Sequence, residues 1–528
     1  MHAAQVMNLS QLVAQTARLH PDLPGLIHRD DVWTWRQINA RVDAMCLGLS
    51  AIGVRAGDRI LTQSRNSLQT FELGWVCFRM GCVWVPTNFR LTPDEVAYLG
   101  QSSGASVMVY DDIFAGHVDA VRAASTHLTH VVAIGEPRAG EHAYEPMVSA
   151  HLGQAFEEAT VQENSPAWFF YTSGTTGKPK AGVLTHGQLA FVVTNHLADM
   201  IPGTRETDCS IVVAPLSHGA GIHALLNVAR GAASVLMPGD RLEPVVFWGL
   251  VERYRVTNVF TVPTIVKVLV EDPSVDQFDH RSLRYVIYAG APMYRADQKL
   301  ALQKLGSVLV QYFGLGEVTG CITVLPPYMH SADDDDPNAH IGSCGRPRTG
   351  MEVAILDKDM QRLPTGEVGE ICVRGPAVLL EYHGNPDATE KALRGGWFHT
   401  GDLGRLDAKG LLYITGRESD MYISGGSNVY PREVEEVLLT HPSVLEVAVL
   451  GVPDPKWGEV GVAVVVLRPD APVISADDLL AHLDGRSAKY RWPRSFFFWE
   501  ALPKSGYGKI TKKDVRQLLI ERGEVPAH

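Results

Sequence analysis

From Thr34 to about Ile414, short runs of apolar and β-branched residues alternate with longer stretches whose apolar positions recur every three or four residues. Val131 to Ile134 and Tyr285 to Tyr288 read as buried strands, and Arg241 to Tyr254 as an amphipathic helix. Such alternation predicts α/β layers. Past Gly416 the texture changes. Pro431 to Leu439 predicts a helix with proline in its first turn, Val444 to Leu450 and Val460 to Leu467 strands, Ala476 to Leu483 a helix, Phe496 to Trp499 a strand and Thr511 to Arg522 a last helix. The expected fold class is therefore α/β: a large multi-layer N-terminal α/β domain, residues 1–417, and a small C-terminal α+β domain, residues 418–528, parting near Arg417 to Asp420.

Length agrees, since 528 residues exceed the roughly 250–300 at which one hydrophobic core stops growing. A formal charge of -12 speaks against a broad nucleic-acid surface, though not against a nucleotide in a local pocket. Seven cysteines without a C-x-x-C pair indicate neither a disulfide framework nor a zinc site. The N-terminal stretch has no basic region followed by a long apolar run, and nowhere do 18 apolar residues follow one another, so no integral membrane segment is expected and a cytoplasmic enzyme is. Asp333 to Asp336 predicts a solvated acidic loop.

The most informative segment runs from Trp168 to Gln188. An apolar strand ends at Tyr171, and Thr172, Ser173, Gly174, Thr175, Thr176, Gly177 and Lys178 follow, with Lys180 close behind. Small hydroxyl residues and glycines let backbone N–H groups curl round a polyphosphate, and lysines supply counter-charge. A second strand runs to Leu184, and Thr185 to Gln188 has capping-box spacing for the next helix. It is not a Walker A loop, because Gly174 and Gly177 are too close and no Ser or Thr follows Lys178.

This segment resembles the signature loop of the adenylate-forming superfamily of acyl-CoA synthetases, adenylation domains and firefly luciferase. The likeness continues through Val85 to Leu91, Gly290-Ala291-Pro292, Tyr312-Phe313-Gly314-Leu315-Gly316-Glu317, Thr400-Gly401-Asp402, Gly416-Arg417, Ser424 to Pro431 and Pro503 to Ile510. It implies an AMP-forming acid:CoA ligase using ATP, Mg²⁺ and coenzyme A on a small carboxylic acid, with a separate acyl carrier protein as the alternative acceptor. A homodimer is left open.

The resemblance also implies roles. Thr172 to Lys178 hold the phosphates. Glu317 is the Mg²⁺-associated carboxylate. Gly290, Ala291, Pro292, Tyr312, Phe313 and Gly314 border adenine, with Phe313 packing on it. Asp402 accepts the ribose hydroxyls, and Arg417 contacts ribose or phosphate. Lys509 bridges the acyl carboxylate and the α-phosphate. His218 borders the acyl and pantetheine channel, a structural histidine being the other reading. Ser424, Gly425 and Gly426 leave room for the thin pantetheine arm, and the small domain turns about a hinge holding Ser419. Three positions depart from the family pattern: Gly316 in place of Thr, Ser217 in place of a bulky aromatic, and Ser419 in place of Asp or Lys. The first two, with Gly219 and Gly221, predict a roomy acid pocket that takes medium- or long-chain fatty acids or aryl acids over acetate.

Two rival patterns fail on context. Gly219-Ala220-Gly221-Ile222-His223-Ala224, with Asp240 beyond, satisfies a dinucleotide fingerprint, but Pro215 to His218 separate its glycines from the preceding apolar run. Gly100-Gln101-Ser102-Ser103-Gly104 matches a hydrolase elbow, yet helix-like Pro93 to Leu99 precedes it and strand-like Ala105 to Tyr110 follows, the reverse of what an elbow needs.

Overall fold

Strands buried on both faces read as continuous apolar runs, and here they build two large sheets. The computed structural model describes residues 5–172, 178–291, 293–337, 339–424, 427–504 and 510–526. One sheet has seven strands in the order Lys180–Thr185, Pro166–Thr172, Val83–Pro86, Arg59–Gln63, Val107–Asp111, His130–Ile134 and His142–Ala143. They run parallel except at the Pro166–Thr172/Lys180–Thr185 hairpin. The second sheet has thirteen strands. Its middle is a parallel block, Leu309–Phe313, Tyr285–Tyr288, Asn258–Thr261, Cys209–Val212, Ala233–Leu236 and Pro24–His28. Beyond Leu309–Phe313 the strands alternate in direction out to Glu352–Leu356.

Helices lie between the two sheets. Trp84, Trp168 and Phe170 from the first sheet and Ile287 and Val310 from the second share one core with Leu189 and Val192 of helix His186–Asp199 and Leu225 and Leu226 of helix Gly219–Val228. Because the middle strands are parallel, their carboxyl ends open on one edge, where ligands of open α/β sheets bind. The turns carrying His218, Gly290 and Glu317 all leave from that edge.

The C-terminal domain is built on a long hairpin, Val444–Asp454 with Gly458–Leu467. Side-chain alternation splits it into two faces. Val447, Val449, Ala463 and Val465 pack under helices Pro431–Leu438 and Ala476–Leu483, while Ala448, Leu450, Val462 and Val464 pack under helix Lys512–Glu521.

Two boundaries differ from expectation by more than two residues. The helix placed over Arg241 to Tyr254 starts at Pro244, whose ring fits the first turn and which has no N–H to satisfy. The strand expected to stop at Leu450 continues to Asp454, across a glycine and a proline that break the apolar run. Gly451 is required there: a Cβ would lie 2.3 Å from Cβ of Tyr422. The acidic run is tied as well as solvated, for Asp334 pairs with Arg295 at 2.9 Å and with Lys299. All seven cysteines are free and buried. Among the described residues no helix is long and apolar enough to cross a membrane.

Candidate active site

Strands Pro166–Thr172 and Lys180–Thr185 pair antiparallel, and the capping box beyond them forms: the Thr185 hydroxyl accepts from Gln188 N at 3.1 Å, and the Gln188 side chain accepts from Thr185 N at 3.3 Å. Ser173, Gly174, Thr175, Thr176 and Gly177 lie outside the described residues. The loop's two ends are described. Lys178 Nζ lies 5.2 Å from the centre of the Tyr98 ring, and Lys180 Nζ stands at the same distance over Tyr382.

Glu317 sits in a short 3-10 turn after strand Leu309–Phe313 and is only 7% exposed. Its Oε1 accepts hydrogen bonds from the Thr172 hydroxyl at 2.8 Å and the Tyr382 phenol at 2.9 Å. Its carbonyl accepts from Leu379 N at 2.7 Å. Residues 379–383 are laid along strand Lys180–Thr185 by Leu380 N to Val183 O, Val183 N to Glu381 O and His383 N to Ala181 O. Burial, then the Glu317 charge, pushes the Tyr382 phenol far up, so it stays a proton donor. Glu317 Oε2 takes no hydrogen bond among the described residues, which leaves a hard oxygen of the kind that ligates Mg²⁺. Sequence reasoning missed Tyr382, because nothing in the run Leu380-Glu381-Tyr382-His383 signals that it meets Glu317.

On the nucleotide side, Gly290 and Ala291 follow strand Tyr285–Tyr288, and Gly290 takes the left-handed region at φ 80°. Pro292 lies outside the described residues. Tyr312 and Phe313 end their strand on opposite faces, Tyr312 stacking on Phe260 with ring centres 6.0 Å apart. A Cβ on Gly314 would lie 2.3 Å from Cα of Gly320, so the turn closes only around a glycine. Asp402 is opposite Arg417 in the register of neighbouring strands, and Arg417 Nε reaches its Oδ1 at 3.0 Å. Asp402 is buried while Arg417 is exposed. The turn before Asp402 is braced: Thr400 Oγ1 accepts from Asp402 N at 3.0 Å and donates to Ile371 O at 2.7 Å, and Glu370 accepts from Gly401 N at 3.1 Å and pairs with His399 at 2.7 Å. Cys372 Sγ lies 3.5 Å from the same His399 nitrogen, its thiol pushed up to about 12 by burial.

The expected acid pocket is walled by aromatic rings. Phe170 faces His218 with ring centres 4.6 Å apart. The expected roominess is overturned at its glycines. A Cβ on Gly316 would lie 2.6 Å from Phe170 Cε1 and 2.9 Å from Thr172 Cγ2, and one on Gly219 would lie 2.7 Å from Phe260 Cζ. On Gly221 it would lie 2.0 Å from Leu216 O and 2.8 Å from Trp168 Cη2. The missing side chains open no space; they let Phe170, Phe260 and Trp168 close in.

Ser419 lies exposed between strands Leu412–Arg417 and Tyr422–Ser424, its hydroxyl on Asp420 at 3.3 Å. Ser424 pairs with Ser427, while Gly425, Gly426 and Lys509 lie outside the described residues. The structure thus joins Thr172 to Glu317 and Asp402 to Arg417, and among the described residues no hydrogen bond joins the two pairs.

Neither rival pattern has its context. Strand Cys209–Val212 ends well before helix Gly219–Val228. Ser102 is inside helix Pro93–Ser103, its hydroxyl 2.7 Å from the Tyr171 phenol, which burial pushes up to about 12.

Comparison with known proteins agrees with this geometry. The profile of AMP-binding enzymes matches residues 13–383, and that of the AMP-binding enzyme C-terminal domain matches residues 433–509. A feruloyl-CoA synthase from Amycolatopsis is 37% identical over 95% of this chain and 97% of its own length. The long-chain-fatty-acid–CoA ligase FadD13 of Mycobacterium tuberculosis is 33% identical over 97% of this chain and 98% of its own. Among solved structures, the anthranilate CoA ligase AuaEII in complex with anthranoyl-AMP superposes with a TM-score of 0.88 at 25% identity, covering 98% of each chain. ATP-bound MatB from Rhodopseudomonas palustris gives 0.86 at 26%, covering 97% of this chain and 99% of its own. From its phosphate-loop hairpin to its small C-terminal domain, this chain belongs to the family of AMP-binding enzymes.

Proposed function

We propose that the protein is an AMP-forming acid:CoA ligase in which ATP and a fatty or aryl acid give an acyl-adenylate and pyrophosphate, and CoA then takes the acyl group. The observation that carries this reading is the buried Glu317 carboxylate, held by Thr172 at one end of the phosphate loop and by Tyr382, with its second oxygen open. AuaEII and the feruloyl-CoA synthase act on aryl acids, and the walls made by Phe170, His218 and Phe260 favour a flat ring. We place the enzyme in the cytoplasm and the domain break between Arg417 and Glu418.

Both partners in the first step, a carboxylate and the α-phosphate, are anionic, so catalysis is mostly charge neutralisation and alignment. Thr172, Lys178 and the loop between them hold the departing β- and γ-phosphates. Glu317 Oε2 is the oxygen that would hold Mg²⁺, which when bound offsets phosphate charge. Gly290, Ala291, Pro292 and Phe313 border adenine, Asp402 takes the ribose hydroxyls, and Arg417, exposed at the domain break, contacts ribose or phosphate. Lys509 brings carboxylate and α-phosphate together. His218 borders the acyl end, and Ser424, Gly425 and Gly426 admit the pantetheine arm once the small domain has turned about Ser419.

The direct test is product analysis over a panel of aryl and fatty acids with ATP, Mg²⁺ and CoA. AMP, pyrophosphate and acyl-CoA are expected; ADP as the nucleotide product contradicts the reading. Pyrophosphate release without a CoA thioester points to a carrier-protein acceptor.

Glu317→Gln keeps the shape but loses the charge, and ATP–pyrophosphate exchange should fall by ~100-fold, the scale of one preorganised electrostatic contact. Tyr382→Phe removes one charge-assisted hydrogen bond and should cost about tenfold in the same assay. Exchange untouched in both variants would put the phosphate site elsewhere.

The two half-reactions should separate. Lys509→Ala should lower acyl-AMP formation by ~10²–10³-fold, the scale of removing a charge aimed at the transition state, and spare thioester formation from supplied acyl-AMP. Ser419→Pro should do the reverse, since proline locks φ in a segment that must change it. Equal loss of both halves in folded Lys509→Ala would refute the division.

A further inference from the structure

Behind the Tyr312 wall the core holds a charge that no side chain among the described residues balances. Arg348 follows strand Ser343–Pro347 and is 1% exposed. Its Nη1 reaches the Gly320 carbonyl at 3.5 Å, while Nε and Nη2 have no hydrogen-bond partner and no described carboxylate pairs with the guanidinium. Burying a cation without a counter-charge is strongly unfavourable. Its neighbours do not help. His196 is held well below its ordinary value by burial and then by Arg348, the Cys321 thiol is pushed up to about 11 by burial, and the Tyr312 phenol is raised for the same reason, so all three are neutral. Asp199, whose charge reaches Cys321, spends both oxygens on Thr349, at 2.7 Å from its N and 2.9 Å from its Oγ1.

A second observation falls on the same spot. Thr319, two residues beyond Glu317, takes the left-handed region at φ 48° and ψ 33°, a strained conformation for a β-branched residue, and its buried Oγ1 meets only the Cys321 thiol, with no nitrogen or oxygen partner among the described residues. The Tyr312 hydroxyl likewise makes no hydrogen bond among the described residues, and its ring lies against Gly320, where a Cβ would be 2.5 Å from Tyr312 Cε2. Arg348, Thr319 and Tyr312 therefore converge on Gly320. Packing contacts run from this cluster toward His218, because Tyr312 stacks on Phe260, and Phe260 closes on Gly219, next to His218 in the chain. Buried polar groups left unsatisfied next to a strained turn mark a place where a ligand completes the structure.

We propose that the acid this enzyme activates carries a second carboxylate at the far end of a flat skeleton, and that Arg348 receives it with the hydroxyls of Thr319 and Tyr312. The proposal rests on the reading of the chain as a ligase that adenylates a carboxylic acid. Nε and Nη2 are adjacent donors on one edge of the guanidinium, the fork that meets a carboxylate with two parallel hydrogen bonds. The reacting carboxyl lies toward Glu317 and His218, and the second one toward Gly320.

The test compares benzoic and cinnamic acids bearing a para carboxylate with the same acids bearing a para methyl, by ATP–pyrophosphate exchange. A site whose buried donors need a partner discriminates strongly, so the wild type should favour the diacids in kcat/KM by ~10²-fold or more. Arg348→Met should abolish that preference, diacid turnover falling by ~10²-fold or more relative to methyl-acid turnover in the same variant. Arg348→Lys, a point charge without the fork, should keep part of it. The diacid alone, without ATP, should raise the thermal midpoint of the wild type and not that of Arg348→Met. If Arg348→Met does not fold, the wild-type preference and Arg348→Lys decide the matter. A wild type that favours the methyl acids, or an unchanged preference in either variant, overturns the proposal and leaves the ligase reading standing. No exchange with any acid of either set overturns this proposal, and the ligase reading falls with it only if fatty acids give none either.

Discussion

The carboxylate of Glu317 is the point on which this site is hung. Leaving it buried without partners would cost several kcal/mol, by the general scale for unpaired buried charges (about 3–5 kcal/mol). Two donors arrive from different parts of the fold. Thr172 comes from the end of a strand in the seven-stranded sheet, and Tyr382 from a segment laid along the neighbouring strand, while Glu317 itself leaves the thirteen-stranded sheet. Each charge-assisted hydrogen bond contributes about 1.5–3 kcal/mol. Two of them on one oxygen fix the side chain and leave the other oxygen without a hydrogen bond among the described residues.

The shape of the acid pocket follows from backbone that rings can approach. Gly316, Gly219 and Gly221 each stand where a methyl group would strike an aromatic carbon or a carbonyl oxygen. Phe170 links two parts of the site, since it lies against Gly316 beside Glu317 and against His218. A substitution at Gly316 or Gly219 would act through the displacement of a ring.

Much of this was legible in the chain. The parallel strands showed as continuous apolar runs because they are buried on both faces, and the helix after the phosphate loop announced itself through Thr185 and Gln188, a local pattern with a local cause. The C-terminal elements were legible for the same reason, although the strand from Val444 ran past Leu450 because Gly451 is demanded by Tyr422, a contact invisible to periodicity. Glu317 and Asp402 could be singled out from ordered motifs. Their partners could not be: Tyr382 is 65 residues from Glu317 in the chain, and Phe170 takes the space beside Gly316 from a different sheet. A small residue in a motif was read as room, whereas packing had already spent that room on a neighbour. Arg348 carries no motif at all, and only its Nε and Nη2, unpaired among the described residues, single it out.

The central claim is that the acid's own oxygen attacks the α-phosphorus at the place the Glu317 clasp defines. Acid labelled with ¹⁸O in its carboxyl group, turned over with ATP and CoA, tests this most directly by mass spectrometry of the nucleotide product. The account predicts AMP carrying one ¹⁸O and unlabelled pyrophosphate, because the attacking oxygen stays with the phosphorus when the thiol takes the acyl group. Unlabelled AMP, or label appearing in inorganic phosphate, would contradict it.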